Sequence, residues 1–408
     1  MKVRAAAAAL VVLIAAVAIA LWPAARSVAQ APTLRQGTHE GADFIIGLPT
    51  TWNGGLVMFA HGYEGEGPGR GSVRTPSLGN HLLEGGYAWA ASGYRSKGYR
   101  PDWFVADVLA LRERFVNEVG RPRWTIIYGQ SMGGHVTIAS LELHPEVYQG
   151  ALMECGIIDG VGLVDWLRAY TTAAEYLSGV RILDAPDRQA FDALISGPWL
   201  DAMGQPGSYT ERGRRFDSVV KHLMGGEMPL RLEGMRTRYI MNLNSLAPGP
   251  DRAGEFARHA STTHVRYRID GGLGLDEEKL NREVRRVSPA PGARSREGNP
   301  YFAELTGKIR VPLLTIHETA DFRVPFRLQQ DYRRRAIAAG TAHLLVQRAI
   351  RWPAHCAFDG VTRERAFDDL VAWMERGVVP SGDDVLGDVT KLGLRWTPTL
   401  HPADPARR

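Results

Sequence analysis

Apolar residues in this 408-residue chain fall into two patterns. Short runs with almost no polar interruption alternate with longer runs in which apolar positions recur every three or four residues. LVMFA (56–60), YAWAASGY (87–94), WTIIYG (124–129) and GALMECG (150–156) belong to the first kind. Runs of that length, apolar nearly throughout, predict strands covered on both faces. GADFIIGLPTTWNGG (41–55) predicts a strand closed by a turn at Asn53-Gly54, and it begins the core near residue 42. DWFVADVLALRERFVNEV (102–119) and MGGHVTIASLELH (132–144) have helical spacing. Strand and helix in alternation predict an α/β fold with a mostly parallel, doubly wound sheet.

The rhythm breaks over 158–309. Helical patterns at VDWLRAYTTAAEYLS, RQAFDALISGPWLDAM, FDSVVKHLM and EEKLNREVRRV are separated by Gly- and Pro-rich joints, with no buried-strand pattern among them. Alternation resumes with VPLLTIH (311–317), RLQQDYRRRAIAAG (327–340), HLLVQRAI (343–350) and RERAFDDLVAWMERG (363–377). The expected organisation is a core built from 40–157 and 310–378. A mainly helical cap, 158–309, is inserted before the second core segment, and a tail, 379–408, wraps the surface. Trp166 and Trp199 are expected to pack inside the cap.

The start of the chain has its own pattern. Lys2 and Arg4 precede an unbroken apolar run, 5–21, and Ser27 and Ala29 supply small residues at −3 and −1 of a cleavage site. Residues 1–29 therefore predict an export signal, with an uncleaved membrane anchor through 5–21 as the alternative. Either places the body in the periplasm or outside the cell. Apolar residues at 44% and charged residues at 23% are those of a folded chain. The net charge of +5 draws partly on Lys2, Arg4 and Arg26 in the leader. No basic run with interleaved aromatics suggests a nucleic-acid surface, and the run Arg333-Arg334-Arg335 reads as a solvated helix face.

Gly129-Gln130-Ser131-Met132-Gly133 joins a predicted strand to a predicted helix. G-x-S-x-G in that context is a nucleophile elbow, a turn so tight that only glycine fits on either side of the serine. A serine hydroxyl needs a base to take its proton. In this arrangement the acid follows the next-to-last core strand and the base follows the last. Glu318-Thr319-Ala320-Asp321 follows the first of these, and Trp352-Pro353-Ala354-His355 the second. Asp321 is expected to orient His355, which activates Ser131. Glu318, immediately beyond its strand, is the rival acid. An oxyanion would be held by the amides of Met132 and of Tyr63, in the loop His61-Gly62-Tyr63. His61 reads as a structural residue bonded to nearby backbone. His259 and His264 stand at i, i+5 with no well-placed carboxylate, so no metal site is read from them.

WNGGLVMFAHGY (52–63), GQSMGG (129–134), HETADFRVP (317–325) and AHCAF (354–358) together resemble the α/β-hydrolase superfamily, of the exported serine-hydrolase type and related to prolyl-oligopeptidase catalytic domains. The resemblance covers about 40–158 and 309–378. It implies Ser131, Asp321 and His355 as triad, with Met132 and Tyr63 as oxyanion donors. Similar proteins often have glycine beside the histidine, where this chain has Pro353-Ala354. Cys155 ends a strand at the catalytic edge and Cys356 follows His355 directly. The two are expected to form a disulfide that pins the histidine loop, the alternative being two unrelated thiols. The function expected is hydrolysis of carboxylic esters, small or polymeric, through an acyl-enzyme and without a cofactor. A peptidase of prolyl-oligopeptidase type is the alternative, disfavoured by the want of a propeller-sized domain ahead of the first core strand. A non-catalytic binding protein on the same scaffold would be expected to lack part of the triad.

Overall fold

Eight strands form one sheet in the computed structural model, which describes residues 31–247 and 254–407. They are β1 (Thr33–His39), β2 (Ala42–Leu48), β3 (Gly55–Ala60), β4 (Ala88–Ser92), β5 (Trp124–Gln130), β6 (Gly150–Glu154), β7 (Leu313–Glu318) and β8 (Leu345–Ile350). Their order in space is β1-β2-β4-β3-β5-β6-β7-β8. β2 runs antiparallel to both neighbours, and the remaining pairs are parallel. This is the α/β-hydrolase fold. The export signal read at 1–29, and the anchor alternative at 5–21, lie outside the described residues. No described helix is long and apolar enough to cross a membrane.

Successive residues of the central strands point to opposite faces. Met58, Ile127, Ala151 and Leu313 pack on one side with α2 (Pro101–Glu118), α3 (Met132–Leu143) and α4 (Arg327–Ala338). Val57, Phe59, Ile126 and Leu314 pack on the other with α1 (Gly79–Glu84) and α5 (Gly360–Arg376). Double coverage is why these strands read as continuous apolar runs.

The core begins earlier than the expected position near residue 42. β1 precedes β2 as an edge hairpin, turned at Glu40 and Gly41, which both have positive φ (47° and 86°). Its sequence, TLRQGTH, is exposed over six of seven positions and has no apolar pattern to betray it.

Between β6 and β7 the chain is mostly helical as far as residue 244; beyond it the described residues are largely irregular, with short helices at Gly254–Ala257 and Glu277–Glu283. Asp159 caps a long helix, Gly160–Ser178, by accepting from the Gly162 amide. Helical segments continue through Arg188–Leu194, Leu200–Met203 and Glu211–Leu223 to Arg231–Arg238. A π-helical turn over Ile195–Trp199 accommodates Pro198. Trp166 and Trp199 are both buried, in an aromatic cluster with Tyr170, Phe216 and Tyr239. A two-residue ladder, Gly204–Gln205 with Ser208–Tyr209, is the β pairing found in this part of the described residues.

The tail does more than wrap the surface. It lies along β8, the free edge of the sheet. The Asp383 amide donates to the Gln347 carbonyl (2.7 Å), and the Asp383 carboxylate accepts from the Ala349 amide (2.8 Å). Covering an edge in this way removes a template for unwanted pairing. Arg351, just beyond β8, is enclosed by the tail. It donates to both oxygens of Asp404 (2.7 Å each) and to the carbonyls of Thr390 and Leu392. Both members of this ion pair are buried. Removing one partner would leave a charge uncompensated, so Asp404→Ala is expected to lower stability by about 3–5 kcal/mol. Urea midpoints would measure it, and a loss under about 1 kcal/mol would show that the tail does not hold Arg351 as described.

Candidate active site

Ser131 stands alone between the end of β5 and the start of α3, with φ 54° and ψ −118°. Few residues other than glycine adopt such a conformation, and it persists only where the surroundings impose it. Here they do. The Ser131 carbonyl accepts from the Gly134 and Ile157 amides (2.9 Å each), and its own amide donates to the Glu154 carbonyl (3.2 Å). A Cβ on Gly133 would overlap the Ala60 carbonyl, and one on Gly129 would overlap the Thr137 hydroxyl. The flanking glycines are thus a steric requirement of the turn.

The structure brings Ser131, His355 and Asp321 together. Ser131 Oγ lies 2.8 Å from His355 Nε2, and His355 Nδ1 lies 2.6 Å from Asp321 Oδ2. Asp321 Oδ1 accepts from the amides of Arg323 (2.8 Å) and Val324 (3.1 Å). Burial alone would push the Asp321 carboxyl up. The His355 charge and hydrogen bond, with help from His317 and the Val324 amide, outweigh it and hold Asp321 below its ordinary value. His317 is itself buried, which pushes its pKa down, and its Nε2 faces the Val324 carbonyl at 2.8 Å.

Glu318 is placed differently from expectation. It is the last residue of β7, fully buried, and its Oε1 accepts from the Ala357 amide at 2.6 Å. It therefore meets the backbone of the histidine loop and not the imidazole. Oε2 finds no hydrogen-bond partner among the described residues. Burial, then the negative charge of Asp321, pushes the Glu318 carboxyl well above its ordinary value.

Two further ties fasten the same loop. Cys155 and Cys356 form a disulfide across 201 residues, with Cα atoms 5.2 Å apart. Arg363, from α5, donates to the carbonyls of Cys356 (3.2 Å) and Phe358 (2.5 Å) while paired with the buried Glu154 (2.8 Å). Gln130, beside the serine, also donates to Glu154. Glu154 and Arg363 escaped the sequence reading, as did the tie from Glu318 to the histidine loop, because these contacts join positions 39 and 209 residues apart. Pro353-Ala354 does not supply the left-handed residue that a glycine could. Cys356 takes that conformation instead, with φ 61°.

Met132 begins α3 directly after the serine. The His61-Gly62-Tyr63 loop passes over Ser131, since a Cβ on Gly62 would stand 3.1 Å from that of the serine. His61 is buried, faces the Gly62 carbonyl through Nδ1 (2.8 Å) and stacks on Tyr94. His259 stacks on Phe302, and His264 pairs with Asp165 at 3.3 Å. Cys155, Cys356 and His355 come within metal-ligand reach of one another, but both cysteines are committed to the disulfide. A cavity of about 690 Å³ opens at Ser131, with Tyr63, Tyr99, Leu163 and Phe256 among its walls.

No protein-family model matches the chain. A curated relative, the o-phthalyl amidase of Xanthobacter agilis, is 21% identical over 410 residues, spanning 84% of this chain and 87% of its own. Feruloyl esterase B from Aspergillus oryzae is similar in structure with a TM-score of 0.48 and 13% identity, over 84% of this chain and 80% of that one. The acylaminoacyl peptidase of Pyrococcus horikoshii gives a TM-score of 0.44 at 15% identity, over 87% of this chain. This chain spans only 43% of that peptidase.

A buried acid whose folded pKa is raised keeps its proton when the unfolded chain has released it. Stability is therefore lost as pH rises above about 4, the unfolded glutamate range, until the folded group also ionises. Glu318→Gln retains the acceptor for Ala357 and removes the titration. The variant is expected to gain stability relative to the parent as pH rises from about 4 to about 8. Denaturant midpoints at both pH values check this; a constant difference would contradict it.

Proposed function

We propose that this chain is a serine hydrolase that cleaves carboxylic esters through an acyl-enzyme. The observation that carries the reading is the continuous pair of hydrogen bonds, Ser131 Oγ to His355 Nε2 at 2.8 Å and His355 Nδ1 to Asp321 at 2.6 Å, at the mouth of a cavity. Ser131 attacks the carbonyl carbon as His355 takes its proton. Asp321, already ionised, holds the ring in the tautomer that presents a bare Nε2, and it stabilises the imidazolium that forms. The amides of Met132 and Tyr63 receive the developing oxyanion. His355 then returns its proton to the departing alcohol, leaving Ser131 acylated. A water activated by the same imidazole releases the acid.

Amide cleavage is the second reading, supported by the relative named as an amidase. It needs the same groups, with His355 protonating an amine in place of an alcohol. We infer further that the protein works outside the cytoplasm. The Cys155–Cys356 disulfide supports this, together with the leader pattern at 1–29.

A fluorophosphonate probe is expected to label the protein at Ser131, and Ser131→Ala to abolish labelling without unfolding. Undiminished labelling of that variant, or none of the parent, would overturn the proposal. Asp321→Asn is expected to lower kcat by about 10³–10⁴ with KM little changed, by fixing the wrong tautomer. Rates on p-nitrophenyl esters and on peptide or aryl anilides separate the two readings.

A further inference from the structure

Arginines are numerous in and around the cap, and about half are matched to an acid among the described residues. Arg188 pairs with Asp192, Arg231 with Asp217 and Glu227, and Arg236 with Glu233. Arg238 and Arg323 are not. Both line the cavity at Ser131, and neither forms an ion pair among the described residues. Arg238 ends its helix, half-buried, with Nη1 3.2 Å from the Met241 sulfur. Arg323 follows the acid loop two positions after Asp321. The two are close enough that burial, then the Arg323 charge, pulls the Arg238 pKa down. The carboxylate whose charge Arg238 feels, Asp321, has its oxygens engaged by His355 and by two backbone amides. Glu66 also borders the cavity, where it accepts from the Tyr63 hydroxyl at 2.9 Å.

Arg323 is exposed and Arg238 half-buried; like charges set together repel, and Arg238 also loses hydration, so the pair is held at a cost unless an anion completes it. A guanidinium presents a planar fork that fits a carboxylate. The cavity is open to a ligand and ends at the serine hydroxyl. We infer that Arg238 and Arg323 form a carboxylate-recognition site, and that the preferred substrates carry a second carboxylate on the acyl portion being cleaved. The inference deepens the ester-hydrolase reading and rests on Ser131 as the attacking group. With one end of the substrate held by the cations, the scissile carbonyl would be presented to Ser131 as a single oriented reactant.

Two measurements test it. The first compares kcat/KM for p-nitrophenyl hemiglutarate with that for p-nitrophenyl hexanoate, which is of similar length and neutral. The parent is expected to favour the hemiglutarate by about tenfold or more, as a charge-assisted pair warrants. Arg238→Gln combined with Arg323→Gln should remove that preference, whereas Arg236→Gln, outside the cavity, should keep it. Added salt should weaken it. The second is calorimetric binding of glutarate and of the neutral hexanamide, which needs no turnover. Glutarate is expected to bind the parent at least about tenfold more tightly, and the double variant should lose the difference while keeping its melting temperature. Equal binding of both ligands by the parent, or a preference that survives the double variant, overturns the inference. Fluorophosphonate labelling of the same preparation distinguishes the failures. Labelling with no carboxylate preference defeats this inference alone. Glutarate preference without labelling upholds the anion site and defeats the nucleophile.

Discussion

An imidazole must be kept within 2.8 Å of a hydroxyl that lies 224 residues away in the chain. The hydroxyl end of that contact is fixed by a strained turn, clamped between β5 and α3 and leaving no room for a side chain on either neighbouring glycine. The imidazole end is carried by a loop with no regular structure of its own. Everything around the loop works to compensate for that freedom. A disulfide holds Cys356, a buried acid holds the Ala357 amide, and a guanidinium holds two carbonyls. Each tie reaches a different element, β6, β7 and α5, so the loop cannot shift as a unit unless the sheet itself moves.

The buried acids below the loop divide into unlike states. Asp321 is surrounded by donors and stays ionised, as an orienting group must. Glu318, a few residues earlier, has one donor and one oxygen without a partner among the described residues, and burial pushes its pKa well up. Glu154 is matched by Arg363. The directions are physically sensible: a second negative charge beside Asp321 would oppose the first, and that opposition adds to burial in pushing Glu318 up.

Much of this was legible in the sequence, for reasons that can be named. Strands covered on both faces leave unbroken apolar runs, so β3 to β8 could be read, along with the loops that leave their ends. Ser131 was read from the glycines around it, and because the fold delivers the ends of β5, β7 and β8 to one rim, Asp321 and His355 were read from their places after β7 and β8, with Glu318 as rival acid. β1 could not be read, since an exposed edge strand such as TLRQGTH carries no alternation. The helix Arg231–Arg238 was equally silent, having only Leu232 and Met235 as large apolar residues. Glu318 was mistaken for a loop residue because the strand runs one position further than its apolar pattern. The unmatched pair Arg238 and Arg323 has no local signature at all; it arises only when the cap is laid over the acid loop.

The cysteine crosslink has a topological side. It closes a ring from residue 155 to residue 356, and the ring contains the entire segment between β6 and β7. A peptide bond broken anywhere in that segment would leave one covalent molecule, its two fragments still tied beside the histidine. The helical insertion over the serine is therefore also the part of the chain in which a break separates nothing.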